Sequence, residues 1–92
     1  MEQQLKTQLV IYSGNVQGVG FRKIVLNISK DFKVQGYVKN RSDGTVEVLA
    51  QGPSAEIMKF MKKINQSTQK NIVGTEIFEH EPIKINDFSI HH

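Results

Sequence analysis

The 92-residue sequence predicts an α+β fold: an antiparallel sheet with two helices on one face, in the order βαββαβ, closed by a short final strand. Three observations carry that reading. Runs of strand period alternate with two stretches of helical spacing, a glycine-rich connection separates the first strand from the first helix, and Asp43-Gly44 ends the link between the second and third extended runs. Each β-α-β unit must cross over to a strand that is not its hairpin partner, so both helices land on the same side of one sheet. Residues 1–92 are expected to form a single domain, long enough for a core and too short for two.

Gln8 to Ser13 reads as the first strand, and Leu9, Val10, Ile11 and Tyr12 make it apolar on both faces, which places it centrally in its sheet. Gly14 to Gly20 breaks the pattern. It leads into Phe21 to Phe32, where Phe21, Ile24, Val25, Ile28 and Phe32 fall at helical spacing. Val34 to Asn40 and Thr45 to Gln51 form a hairpin about Arg41-Ser42-Asp43-Gly44. In the latter run Val46, Val48 and Ala50 alternate with Thr45, Glu47, Leu49 and Gln51, the period of a strand with one buried face. Gly52-Pro53 stops it. Ser54 is placed to cap a second helix, with Glu56 in the first turn and Ile57, Phe60, Met61 and Ile64 as the apolar stripe. Asn65 to Asn71, rich in Asn, Gln, Ser and Thr, reads as a loop before short strands at Gly74 to His80 and Asp87 to Ile90, around Pro82. The arrangement is a ferredoxin-like sandwich. That fold hosts many functions, so function has to come from a site.

Composition removes several classes. The chain has no cysteine, which excludes disulfides and thiolate chemistry and leaves nothing that points to an oxidising compartment. The opening MEQQLKTQ is polar and Leu9 to Tyr12 is far too short to span a bilayer, so a soluble, cytoplasmic protein with no membrane partner is expected. A net charge of +3 suits an anionic partner without separating a small phosphate from nucleic acid. No cysteine pair, HExxH string or carboxylate cluster lies near the candidate segments, so neither metal nor cofactor is expected.

The two helix starts contrast in charge. The second opens Ser54-Ala55-Glu56, with an acid where the helix dipole favours one. The first opens Gly20-Phe21-Arg22-Lys23, with no acid from Gly14 to Lys30 and two cations where the dipole is already positive. Each misplaced charge costs about 0.3–1 kcal/mol unless something offsets it, and a bound anion does so. Glycines at 14, 18 and 20 let backbone amides converge on an anion, and Arg22 adds a two-point clamp. From the loop alone, a glycine-rich connection ending in two solvated cations accounts for these residues equally well. A nucleotide P-loop is excluded by the missing Gly-Lys-Ser/Thr, and the glycine spacing does not fit a dinucleotide fingerprint.

Ser13 to Arg22, SGNVQGVGFR, resembles the first signature of the acylphosphatase family, Gly-x-Val-Gln-Gly-Val-x-Phe-Arg. Gly36 to Gly52, GYVKNRSDGTVEVLAQG, resembles the second, Gly-aromatic-Val-Lys-Asn-x-x-x-Gly-x-Val with a later glycine, and Phe88-Ser89-Ile90 is similar to the family's last strand. The resemblance spans nearly the whole chain and implies a metal-independent hydrolase of acyl phosphates. It implies Arg22 as the phosphate-binding arginine and Asn40 as the water-orienting asparagine. The cradle it implies is the backbone from Asn15 through Val16, Gln17, Gly18 and Val19 to Gly20, with Phe21 beside it. The implied partners are a small acyl phosphate and inorganic phosphate, and the protein is expected to be a monomer. One departure stands out: Lys33 occupies a position where relatives commonly place glycine, so the first helix must close differently or accept a left-handed lysine.

Several residues have plainer readings. Asn40 taken singly is at home entering a turn, Lys23 reads as a surface cation, and Tyr12 and Tyr37 read as packing residues. Lys59, Lys62 and Lys63 form a solvated helix face. His80, His91 and His92 cluster towards the C-terminal end, away from both motifs; metal binding and an appended tag are alternatives for the terminal pair, which reads more simply as inert. RNA-recognition modules share the βαββαβ order but need exposed aromatics on the first and third strands, and TVEVLAQ has none. A regulatory domain inside a larger protein is the remaining reading, which the chain length disfavours.

Overall fold

In the computed structural model, which describes residues 4–18 and 20–92, the elements are β1 (Leu5–Gly14), α1 (Phe21–Ser29), β2 (Gln35–Asn40), β3 (Val46–Pro53), α2 (Ser54–Thr68), β4 (Ile72–Glu79) and β5 (Phe88–His91). They form one sheet in the order β4-β1-β3-β2-β5. β1 lies between β4 and β3 and is antiparallel to both, as expected of a strand apolar on both faces. β2 and β3 make the expected hairpin, with Asn40 opposite Val46. The short final strand adds to the edge of β2 in parallel, with Gly36 opposite Phe88 and Lys39 opposite His91.

Alternation along the strands sorts the core. Val10, Tyr12, Val38, Val46, Val48 and Ala50 face the helices, where they pack with Phe21, Val25 and Ile28 of α1 and with Ile57, Phe60, Met61 and Ile64 of α2. Burying side chains of this size contributes about 1.5–3 kcal/mol each. The other face is less open than the alternation in β3 suggests, for Ile11 and Leu49 retain only 8% and 1% exposure there. Gln51 on that face exchanges two hydrogen bonds with the backbone of Ile83, both 2.9 Å, and so ties the connection after β4 to the sheet.

Three local expectations are corrected. α1 ends at Ser29 rather than Phe32, and residues 30–32 continue as a tighter turn through i→i−3 bonds from the amides of Lys30, Asp31 and Phe32. Phe32 still packs on Phe60, with ring centroids 6.2 Å apart. Lys33 needs no left-handed backbone, since no described residue other than glycine has positive φ; its amide donates instead to Glu56 Oε1 at 2.8 Å. Ser54 is not a cap: Pro53 takes that position, and the Ser54 amide donates to the carbonyl of Gln4 at 2.8 Å. Asn65 to Thr68 is helical rather than loop, because Thr68 is buried on the α2 stripe and returns its hydroxyl to the Ile64 carbonyl at 2.6 Å.

Candidate active site

The loop between β1 and α1 is held at three points. At its start, Gly14 sits at a β-bulge with φ of 123°, and a Cβ there would lie 2.3 Å from the Asn71 carbonyl oxygen. Only glycine fits so close an approach. Next, the Asn15 amide donates to that same Asn71 carbonyl at 2.9 Å. Val16 is then fully buried in the core, and the Gln17 side-chain amide donates to the carbonyls of Arg41 and Thr45, each at 2.8 Å. Those carbonyls flank the β2–β3 turn, so Gln17 joins the glycine loop directly to the hairpin that carries Asn40. The Gln17 side chain is thus committed to the hairpin, so only its backbone is left for the expected cradle. Val19, also expected in the cradle, lies outside the described residues.

Past Val16 and Gln17 the loop is governed by backbone. Gly18 and Gly20 adopt φ of 78° and 77°, left-handed values, with nothing within 4 Å of where a Cβ would stand. Gly20 is the N-cap of α1, with no side-chain cap, and the first turn holds no acid. The first-turn amides ahead of Ile24, whose own amide bonds to the Gly20 carbonyl, therefore have neither a side-chain cap nor an acid beside them. Phe21 anchors the turn from behind: it is 1% exposed and packs against Tyr12 at 5.4 Å between ring centroids.

Val16, Gly18, Gly20, Phe21, Arg22, Lys23 and Asn40 all line one open cavity of about 290 Å³. Arg22 is half-buried and Asn40 exposed. Asn40 ends β2 two residues beyond buried Val38, so its side chain emerges on the helix-facing side, towards the start of α1. The structure thus brings Arg22, Asn40 and the glycine loop together, while Asn15 serves at the loop's anchor. A larger cleft of about 840 Å³ lies at the other end of the sheet, lined by residues such as Leu5, Lys33, Gly52 and His80. It contains neither Arg22, Asn40 nor any loop glycine, so size does not select the site here and chemistry does. No described residues form a cluster of three or more metal-ligating side chains.

The histidines overturn an expectation. His92 is not remote from the motifs: with Ile90 it lines the cavity, and its Nδ1 lies 3.5 Å from a terminal nitrogen of Arg22. His91 stacks on Tyr37 of the second motif, with centroids 4.6 Å apart and planes 10° from parallel. Alternation was the available signal, since Phe88 and Ile90 pack on the core and His92 continues the same face. Tyr37 also donates to Glu47, which pairs with Arg41 at 3.9 Å. Burial first, then the Glu47 hydrogen bond and charge, push the Tyr37 hydroxyl pKa up. On the sheet face away from the helices β1 and β3 present Leu9, Ile11, Glu47 and Leu49, so the two strands on which an RNA-recognition module carries its stacking rings hold none there, although Tyr37 and Phe78 stand on the same face on β2 and β4.

Fold and site define a small α+β domain in which an arginine, an asparagine and an uncapped, acid-free helix start share one cavity at one end of the sheet. The acylphosphatase family model matches residues 8–90. An acylphosphatase of Bacillus velezensis is 41% identical over 76 residues, covering 82% of this chain and 84% of that protein. The crystal structure of an acylphosphatase from Bacillus subtilis superposes with a TM-score of 0.86 at 33% identity, covering 97% of this chain and all of that one. Full-length HypF, in a phosphate- and nucleotide-bound form, also superposes with a TM-score of 0.86 at 28% identity, but this chain spans only 12% of it. The chain belongs to the acylphosphatase family.

Proposed function

We propose that this protein hydrolyses acyl phosphates to a carboxylate and inorganic phosphate, with Arg22 and the loop amides holding the phosphate and Asn40 orienting the attacking water. The observation that carries this reading is convergence: the uncapped, acid-free first turn of α1, Gly18, Gly20, Arg22 and Asn40 share one cavity. Amides at a helix start and a guanidinium fork both strengthen their grip as negative charge builds on the phosphoryl oxygens. Water attacks phosphorus, the bond from phosphorus to the acyl oxygen breaks, and the electron pair leaves on the carboxylate. The water proton passes to the phosphate product or to solvent. A carboxylate is a good leaving group, so neither a strong general acid nor a metal is required. Asn40, a neutral amide, accepts from and donates to water without removing its proton, which makes it an orienting group.

Turnover of benzoyl phosphate or acetyl phosphate is the direct test. Arg22→Ala and Arg22→Lys should both nearly abolish it, because lysine keeps the charge and loses the planar fork. Asn40→Ala should lower kcat by about 10²–10³ with phosphate affinity retained, and Asn40→Asp should not restore it, since a carboxylate there repels the substrate. A fully active Asn40→Asp would instead make position 40 a general base, and loss of activity on dialysis against a chelator would bring a metal into the mechanism. No described helix is long and apolar enough to cross a membrane. We place the protein as a monomeric, single-domain cytoplasmic enzyme, checked by light scattering and cell fractionation.

A further inference from the structure

We propose that His92 is a protonation-dependent anion-affinity residue of the same site, which tightens binding of phosphate as pH falls and so sets how strongly the product is retained. The proposal rests on the reading of Arg22 as the anion-binding arginine. Three observations carry it. The imidazole Nδ1 stands 3.5 Å from the Arg22 guanidinium, at the outer limit of a hydrogen bond, so an anion held by Arg22 would lie close to the ring. His92 lines the cavity together with Gly18, Gly20, Arg22 and Asn40. Its position is also built: the preceding His91 is paired to Lys39 in the sheet and stacked on Tyr37.

The two protonation states act differently. A neutral ring turns the Nδ1 lone pair to Arg22 and accepts from the guanidinium, holding the fork with no charge of its own. A protonated ring has no lone pair to offer and faces the Arg22 cation. An anion held by Arg22 gives the imidazolium a negative charge to face. Among the other charged groups, Arg22 and Lys23 of α1 line the cavity as cations, Lys39 of β2 stands opposite His91 in the sheet register, and no Asp or Glu side chain lines the cavity among the described residues; where the chain ends at His92, its own main-chain carboxylate lies beside the ring in both the empty and the occupied site. Glu47 is engaged by Tyr37 and Arg41 on β2 and β3, away from this side of the sheet. A bound anion adds a charge that favours proton uptake, and linkage requires that proton uptake in turn favour the anion.

Sulfate is the suitable ligand for the test, since unlike phosphate it keeps its charge through the histidine range. Its dissociation constant, from competitive inhibition or calorimetry, should fall about three- to fivefold between roughly pH 8 and pH 5.5 in the parent, as expected of one exposed charge pair. His92→Gln, which still accepts from Arg22 but cannot become charged, should match the parent at the alkaline end and lose the tightening. His80→Gln, at the other end of the sheet, should keep it. A His92→Gln protein with the parent's pH slope overturns the proposal. If sulfate fails to bind the parent, or binds Arg22→Ala as well as the parent, the reading of the site itself falls, and the proposal with it.

Discussion

Gln17 offers a test of how the loop is held that does not depend on catalysis. Its side-chain amide makes two 2.8 Å bonds, to the carbonyls of Arg41 and Thr45, and these are the described polar links between the loop and the hairpin. A neutral hydrogen bond contributes about 0.5–1.5 kcal/mol net, so the pair sets a range of about 1–3 kcal/mol. The lower half applies, because neither carbonyl is orphaned by truncation: Arg41 O also accepts from Gly44 at 3.2 Å, and Thr45 O from Arg41 at 2.9 Å. Gln17→Ala should therefore lose about 1–2 kcal/mol in urea unfolding with m unchanged, and roughly 4–8 °C in Tm per kcal/mol for a domain of this size. Gln17→Glu should do no better, since a carboxylate cannot donate to two carbonyls and must swing out to solvent. Its negative charge, left beside the cradle, should weaken phosphate binding beyond the alanine variant. Two variants with the parent's stability and phosphate affinity would refute the strut, and the loop would have to be held by Gly14, Asn15 and Val16 alone.

Other perturbations separate close approach from backbone strain and charge from shape. Gly14→Ala places a Cβ 2.3 Å from one backbone atom and 2.7 Å from another, and should cost about 3 kcal/mol or more in denaturant unfolding, whereas Gly20→Ala meets nothing within 4 Å and should cost only the left-handed strain of about 1–2 kcal/mol. Equal costs would mean that contact is not the reason for glycine at 14. Hydrogen bonds from Thr45, side chain first and then backbone, lower the Asp43 pKa below its ordinary 3.8. The folded state therefore favours the carboxylate: its stabilisation is present above that value and is lost as pH falls through the depressed one. Asp43→Asn should be less stable than the parent near neutrality and converge with it in acid, and a gap that persists in acid would exclude charge as its cause. Glu56→Ala removes the acceptor of the Lys33 amide and should cost about 1 kcal/mol, with Lys33→Gly recovering part of that loss by permitting a left-handed end to α1.

How much was legible in the chain depended on whether a signal was local. Strand and helix order followed from periodicity, and the uncapped, acid-free start of the first helix followed from its glycines and cations, because capping and dipole sign are properties of a single turn. Asn65 to Thr68 misled because its polarity is an outer-face property: Thr68 is the one inward residue, and its back-bond to Ile64 shows only in three dimensions. Ser54 looked like a cap since its side chain is suited to one, yet Pro53 already holds the required extended conformation and the backbone of Gln4 takes the Ser54 amide. The role of the Gln17 side chain was out of reach, for its acceptors are 24 and 28 residues away in the chain. Lys33 drew notice as an expected departure, and the way its backbone is accommodated depended on a carboxylate from the other helix.

The parallel placement of β5 matters more to the site than to the sheet. β2 runs towards the cavity and ends at Asn40, so a strand laid antiparallel beside it would carry its own last residues to the opposite end, where the larger cleft lies. Laid parallel, with Val38 opposite Ile90 and Lys39 opposite His91, β5 ends level with Asn40. The alternation that buries Phe88 and Ile90 on the core side then leaves His92 on the side from which Arg22 approaches. Three segments distant in sequence thus close on one volume: the loop after β1 with the first turn of α1, the end of β2 and the end of β5. Each is fixed by packing or pairing outside the cavity, through Val16 in the core, Phe21 on Tyr12, Asn40 opposite Val46 and His91 on Tyr37. Anchors of this kind limit the reorganisation that anion binding would demand, and that is the property the proposed mechanism, which uses neither a nucleophile nor a strong acid, most needs.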